Sequence, residues 1–261
     1  SAIEGSREFS AAQKRFWSFQ KVVRPEVPQA DSGWVKNPVD AFIHEKLREK
    51  KLSPSPEADK VTLLRRVHFD VTGRPPTPEQ VQAFLADSSP DAYEKVVDRL
   101  LASPHYGEKW GRHWLDVVRF AESQGFKADE TRPNAWRYRD YVIRSLNEDK
   151  PYDRFVKEQI AGDELYPTYP WARVATAFAR HYPDEYNARN LMQRRQEILN
   201  DITNVVGSAF LGLTVECAQC HDHKFDPIRQ SEYFSLQAFF ANTAADDRVV
   251  MLSAAEMQDY Q

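Results

Sequence analysis

The chain has 261 residues, 41% hydrophobic and 28% charged, with 35 basic against 39 acidic side chains and a formal net charge of −4 at pH 7. That is enough chain to bury a sizeable core in one large domain or two small ones. The near-balanced, interspersed charge gives no basic footprint for nucleic acid, and no apolar run approaches a membrane span, so neither a nucleic-acid partner nor a transmembrane segment is expected.

Taken along the chain, the pattern is all-α: predominantly helical, with an irregular N-terminal arm and long loops. Residues 1–35 read as the arm, packing the aromatics Phe16, Trp17 and Phe19 onto the body. Asn37-Pro38 opens an amphipathic helix through Phe42, Ile43 and Leu47 that stops near Leu52-Ser53-Pro54. A second helix spans 60–71 and ends at Thr72-Gly73. Thr77-Pro78-Glu79-Gln80 has the capping-box arrangement, with Thr77 as cap, so a helix carrying Val81 and Phe84 follows. Ser89-Pro90-Asp91 starts another, whose Ala92, Val96, Val97, Leu100 and Leu101 share one face.

The segment 106–122 reads as a helix dense in tryptophan, arginine and histidine. Helices are expected over 135–146 and 152–160, then a proline-broken loop at 165–170. A long helix is expected over 185–211, with Leu191, Ile198, Ile202, Val205, Ala209 and Leu213 as its buried stripe. A loop over 222–227 and a closing helix over 231–241 follow. Residues 36–243 thus form one helical domain, and 244–261 a linker or tail toward a missing C-terminal domain.

The long helix delivers the chain into Cys217-Ala218-Gln219-Cys220-His221, which holds both cysteines of the chain. This is the attachment pattern of haem c: two thiols add across two vinyl groups of one macrocycle, and the adjacent imidazole binds the iron. Cys217 and Cys220 are then the thioether anchors and His221 the proximal ligand. A CxxC pair also suits zinc, with His221 or His223 as a further ligand, or a redox dithiol. No second CxxC or HxxxH completes a zinc knuckle, and the flanks lack a thioredoxin-like strand and helix. With both cysteines in one motif, none remains for a structural disulfide. Because bacterial haem c is attached outside the cytoplasmic membrane, an extracytoplasmic location is expected, and a chain starting at Ser1 without a leader is expected to be cut from something longer.

A six-coordinate haem needs a distal His or Met, and an open face would suit peroxide or oxygen chemistry. His113 is the distal ligand we favour, because it lies between Trp110 and Trp114 with Asp116 positioned to orient its ring; a core histidine satisfied by Asp116 is the plainer reading. Met192, Met251 and Met257 lie on a polar face or in the tail. His44, His68 and His105 read as ordinary packed or exposed histidines, and His181 as a loop histidine free to move. His223 is too near His221 for the opposite face of the ring; it suits a propionate contact, the haem edge, or a separate metal with Asp222 and Asp226. Lys224 and Arg112 are the favoured partners of the haem propionates, with Arg119, Arg137 and Arg139 as further possibilities.

The segments WSFQ at 17–20, NPVDAFI at 37–43, FDVTGRPPTP at 69–78, WGRHWLD at 110–116 and CAQCHDHKFDPI at 217–228 resemble, in order and over nearly the whole chain, the planctomycete-type cytochrome c domain family. That family, long catalogued without a function, implies a domain inside a large secreted or surface protein, usually beside a small cytochrome c module. Its gene neighbourhoods imply a redox role in polysaccharide use. The expected function is therefore electron transfer through one haem c, to an adjacent cytochrome module or another redox partner protein, with a glycan as a possible partner. The alternatives are a haem enzyme with an open distal side, using His113, Asp116 or His223 as acid–base groups, and a zinc- or calcium-stapled glycan-binding domain.

Overall fold

The computed structural model describes residues 8–29, 32–126, 129–185 and 188–246. Among these the protein is all-α, with a single isolated bridge between Ser123 and Thr131 outside the helices. The helices are α1 (Ala11–Lys14), α2 (Pro38–Glu49), α3 (Lys60–Thr72), α4 (Pro78–Ala86), α5 (Ala92–Leu101), α6 (Pro104–Val117), α7 (Ala135–Asn147), α8 (Tyr152–Leu165), α9 (Pro170–Ala175), α10 (Leu191–Leu211) and α11 (Gln230–Ala238).

Local chemistry sets most of the boundaries. Asn37 and Asp40 form a reciprocal capping box around Pro38, and Thr77 and Gln80 do the same around Pro78. Asp59 caps α3, and Gly73 ends it at φ +71°, a left-handed conformation that glycine adopts without steric cost. A first apolar core joins α3, α4 and α5 through Leu64, Val67, Phe84, Val96 and Leu100. A larger one gathers Tyr138, Tyr141 and Val142 of α7, Phe155 of α8, Phe178, and Ile202, Val205 and Val206 of α10. Helix α6 bridges the two, packing on α3, α5 and α7.

Several expected boundaries shift. Helix α6 stops at Val117 rather than near 122, because Arg119 takes φ +60° and pairs with Asp201 at 2.5 Å. The loop expected at 165–170 is shorter: α8 runs to Leu165 through a kink at Ala161, and Pro170 opens α9 instead of ending a segment, since proline suits the first helical turn. Helix α9 leads into a 3₁₀ turn, Thr176–Arg180. The long helix begins at Leu191 with Asn190 as its cap, so Leu191 lies exposed at its start and Leu213 falls beyond Gly212, outside the buried stripe. The closing helix ends at Ala238, short of 241.

In the N-terminal arm, Phe9 is buried and Gln13 Nε2 donates to the carbonyl of Phe225 at 2.8 Å. Phe16 and Trp17, expected to pack on the body, are 53% and 79% exposed, and they contact each other instead. Their turn, Trp17–Phe19, is only three residues long and gathers the rings locally. Met251 and Met257, and the tail beyond 246, lie outside the described residues.

Candidate functional site

Helix α10 ends at Leu211, where Gly212 reverses the chain at φ +64°. The next residues return over α10 and enter a 3₁₀ turn, Glu216–Gln219, which packs on α10 and α11. Val215, Ala218 and Tyr233 of α11 form a small core there, with Leu213 and Ile228 at its edge. Ala218, between the two cysteines, is fully buried, whereas Cys217, Cys220 and His221 are exposed and the cysteines are unbridged. The turn is therefore anchored by the buried Val215 and Ala218 and offers both thiols and the imidazole at the surface.

The His221 ring is held by its own loop. Its Nδ1 lies 2.7 Å from the carbonyl oxygen of Asp222. A carbonyl only accepts, so Nδ1 carries the proton, and the neutral ring keeps its lone pair on Nε2. Metal-bound imidazoles are oriented in the same way, by a hydrogen bond from the nitrogen that does not bind.

His223 has a different task from those expected of it. It is buried, and its ring Nδ1 accepts the backbone N–H of Asp226 at 2.8 Å, while its backbone N–H donates to the carbonyl of Ile228 at 2.8 Å. The ring thus organises the loop that follows the motif. Asp222 accepts the N–H of Gln230 at the start of α11, and Gln230 Nε2 donates to Gln219 O at 3.0 Å, tying the motif to that helix. Among the described residues no group of three or more His, Cys, Asp or Glu side chains is arranged to hold a metal ion. Cys217, Cys220 and His221 are exposed on the turn, while His223 and Asp222 are engaged in holding the loop.

The remaining expected site residues lie on several elements. His113 lies exposed on α6, where its Nε2 accepts from Lys109 Nζ at 3.1 Å and its ring stands 5.4 Å from that of Trp110. Its bond is to Lys109 rather than Asp116, and its exposure removes the core-histidine reading. Arg112 is exposed on the same helix, whereas Lys224 lies in the motif loop with its ammonium 5.2 Å from the Phe225 ring centre. Arg119 is paired with Asp201, Arg139 bonds Asp140 and Glu122, and Arg137 is buried over the ring of Trp136.

His181 departs furthest from its expected role. It is 5% exposed, wedged against the rings of Tyr138 and Phe120 at 4.8 and 5.3 Å, and not in a free loop. Burial first, then the charges of Arg132, Arg119 and Arg180, push its pKa down to about 3, so the ring is neutral at ordinary pH. The sequence also carries no local sign of Glu158. That carboxylate is fully buried, accepting from Lys150, from Arg154 at 2.8 Å and from Tyr141 at 2.9 Å. Only the i,i+4 spacing of Arg154 and Glu158 is visible along the chain.

No helix among the described residues is long and apolar enough to cross a membrane. No curated protein and no solved structure matches this chain. One family model matches residues 38–245, from the first residue of α2 to just beyond α11, and the chain accordingly belongs to PSCyt2, the planctomycete cytochrome c-like domain family described as protein of unknown function (DUF1549).

Proposed function

We propose that this domain holds one covalent haem c and passes electrons within a larger extracytoplasmic redox protein, between an adjacent cytochrome module and a further partner, in a setting of polysaccharide use. The observation that carries this reading is the local design of 217–222: two exposed, unbridged thiols flank a buried alanine, and the next imidazole is fixed through Nδ1 with its Nε2 lone pair uncommitted. These residues fit haem c, which would be held by two thiols and a neighbouring imidazole, and among the described residues no larger cluster of His, Cys, Asp or Glu is arranged for a bare ion.

Each residue then has a defined task. Cys217 and Cys220 would hold the haem through thioethers, and both sulfurs are exposed and unbridged. His221 would supply a nitrogen ligand, its ring oriented by the bond from Nδ1 to the Asp222 carbonyl. His223 keeps the following loop in one conformation, so that His221 is not displaced. Lys224 and Arg112 would neutralise the acid groups of the haem, and His113 would be a second ligand to its iron. The haem, when bound, supplies reversible one-electron chemistry at iron.

The test is the reduced-minus-oxidised spectrum of protein made with a cytochrome c maturation system, followed by the pyridine haemochrome assay. A covalent haem signal that changes to the one-thioether form in Cys217→Ala is the expected result. Colourless protein would sink the proposal. For the distal ligand, His113→Ala is expected to turn a low-spin spectrum high-spin, and an unchanged low-spin spectrum removes His113 from the role.

A further inference from the structure

A cavity of about 980 Å³ opens between α7, α8, the Thr176–Arg180 turn, α10 and the residues after α11. It falls at the upper end of the roughly 300–1,000 Å³ of small-molecule sites. None of Cys217, Cys220 and His221 lines it, so it is distinct from the motif surface. One wall is apolar, built from Phe178, Ile202, Val206 and Phe240. The other is polar and carries His181.

Both ring nitrogens of His181 are buried without a hydrogen-bond partner. A neutral imidazole has one N–H to give and one lone pair to fill, and burying both unmet costs free energy that nothing in the fold returns. The polar group next to it is already engaged: the side-chain oxygen of Gln159 accepts from Tyr138 at 2.6 Å and from Trp114 at 3.0 Å. The imidazole is thus not satisfied by that glutamine.

The charge around it has one dominant sign. Among the described residues the lining holds five arginines against three carboxylates; Arg173 takes one of those carboxylates, Asp246, at 2.6 Å, and Arg180 pairs with Asp184, outside the lining, at 3.4 Å. Arg195 is bonded instead to the carbonyls of Phe240 and Ala241, at 3.4 and 3.0 Å, which leaves its positive charge in place. A site with an unmet imidazole, an excess of guanidinium groups and an apolar wall selects an acid group on an apolar body.

We propose that this cavity is a second ligand site, separate from the cysteine motif, that takes a small organic anion, its acid group at His181 and its apolar body along Phe178, Ile202 and Val206. The proposal does not depend on the haem. Its probe is 8-anilinonaphthalene-1-sulfonate, with N-phenyl-1-naphthylamine as the uncharged analogue, titrated into the full chain by calorimetry.

The expected result is saturation at one probe per chain, displacement by phenylacetate, and binding at least tenfold weaker both for the uncharged analogue and in His181→Phe. Equal binding of the uncharged analogue would overturn the anion, and equal binding by the variant would overturn the site. Displacement of the probe by free haem in a variant lacking both cysteines would also overturn it, by giving the cavity to the cofactor. If His181→Phe fails to fold, the wild type decides: the imidazole nitrogen resonances of His181 must shift on adding the sulfonate, and unmoved resonances overturn the proposal.

Discussion

Gly207 of α10 and Val215 of the returning chain are in direct apposition: a Cβ at Gly207 would lie 2.8 Å from Val215 Cγ2 and 3.2 Å from the carbonyl oxygen of Leu213. The same glycine's carbonyl accepts the N–H of Leu213 at 3.0 Å. The turn that carries the cysteines thus depends on a position in α10 that has no side chain.

Gly207→Ala is expected to destabilise the protein despite its better helix propensity. The helix gains about 1 kcal/mol from alanine, while overpacking costs about 1–3 kcal/mol, and the close backbone oxygen places this case toward the upper end. Urea unfolding should show a net loss of about 1–2 kcal/mol.

His223→Ala removes the acceptor for the Asp226 N–H in a partly buried loop, a loss of about 1–3 kcal/mol. Asparagine can place an oxygen near the position of Nδ1, so His223→Asn should recover a good part of that loss. Equal destabilisation by both variants would mean that ring packing, and not the hydrogen bond, sets the contribution of His223. Thermal unfolding of the two variants beside wild type separates these cases.

The helices were legible where their signals are local. The pairs Asn37 with Asp40 and Thr77 with Gln80, together with Gly73, act within a few residues of the boundaries they set, and those boundaries fall where composition places them. The end of α6 was not legible, because Arg119 leaves the helical conformation near Asp201, 82 residues away. Likewise Cys217, Cys220 and His221 announce themselves by spacing, whereas the carbonyl that orients His221 and the loop held by His223 exist only once the chain is folded. The His181 cavity is drawn from several helices and leaves no linear trace.

Glu158→Gln should be among the most damaging single changes. Lys150, whose side chain is 8% exposed, would keep its charge with its ion partner gone, a situation that costs about 3–5 kcal/mol. Burial raises the Glu158 pKa, but the bonds from Lys150, Arg154 and Tyr141 outweigh it, so the folded value lies below the ordinary glutamate range. The stabilisation is then present above that range and is lost as pH falls through the folded value. Chemical denaturation from pH 6 to pH 3 should show a steeper decline in wild type than in the variant.

His181 acts in a higher pH window. Its folded pKa is pushed from 6.5 down to about 3, so the unfolded chain binds a proton that the folded protein refuses between those values. Its contribution is fully present above about pH 6.5 and falls by about 1.4 kcal/mol per pH unit toward pH 3. In His181→Phe that share of the slope should vanish. An identical pH dependence in the two proteins would show that the ring is hydrated and protonates freely in the folded state.

The bond from Gln13 to the carbonyl of Phe225 spans 212 residues. A contact of such separation closes one of the largest loops the chain can make, and closures of that kind come late in folding. The segment after His221 therefore receives this tether only when nearly everything between has settled. Until then the loop after His221 is held to the body only from its own side, through Gln230 and the small core around Tyr233.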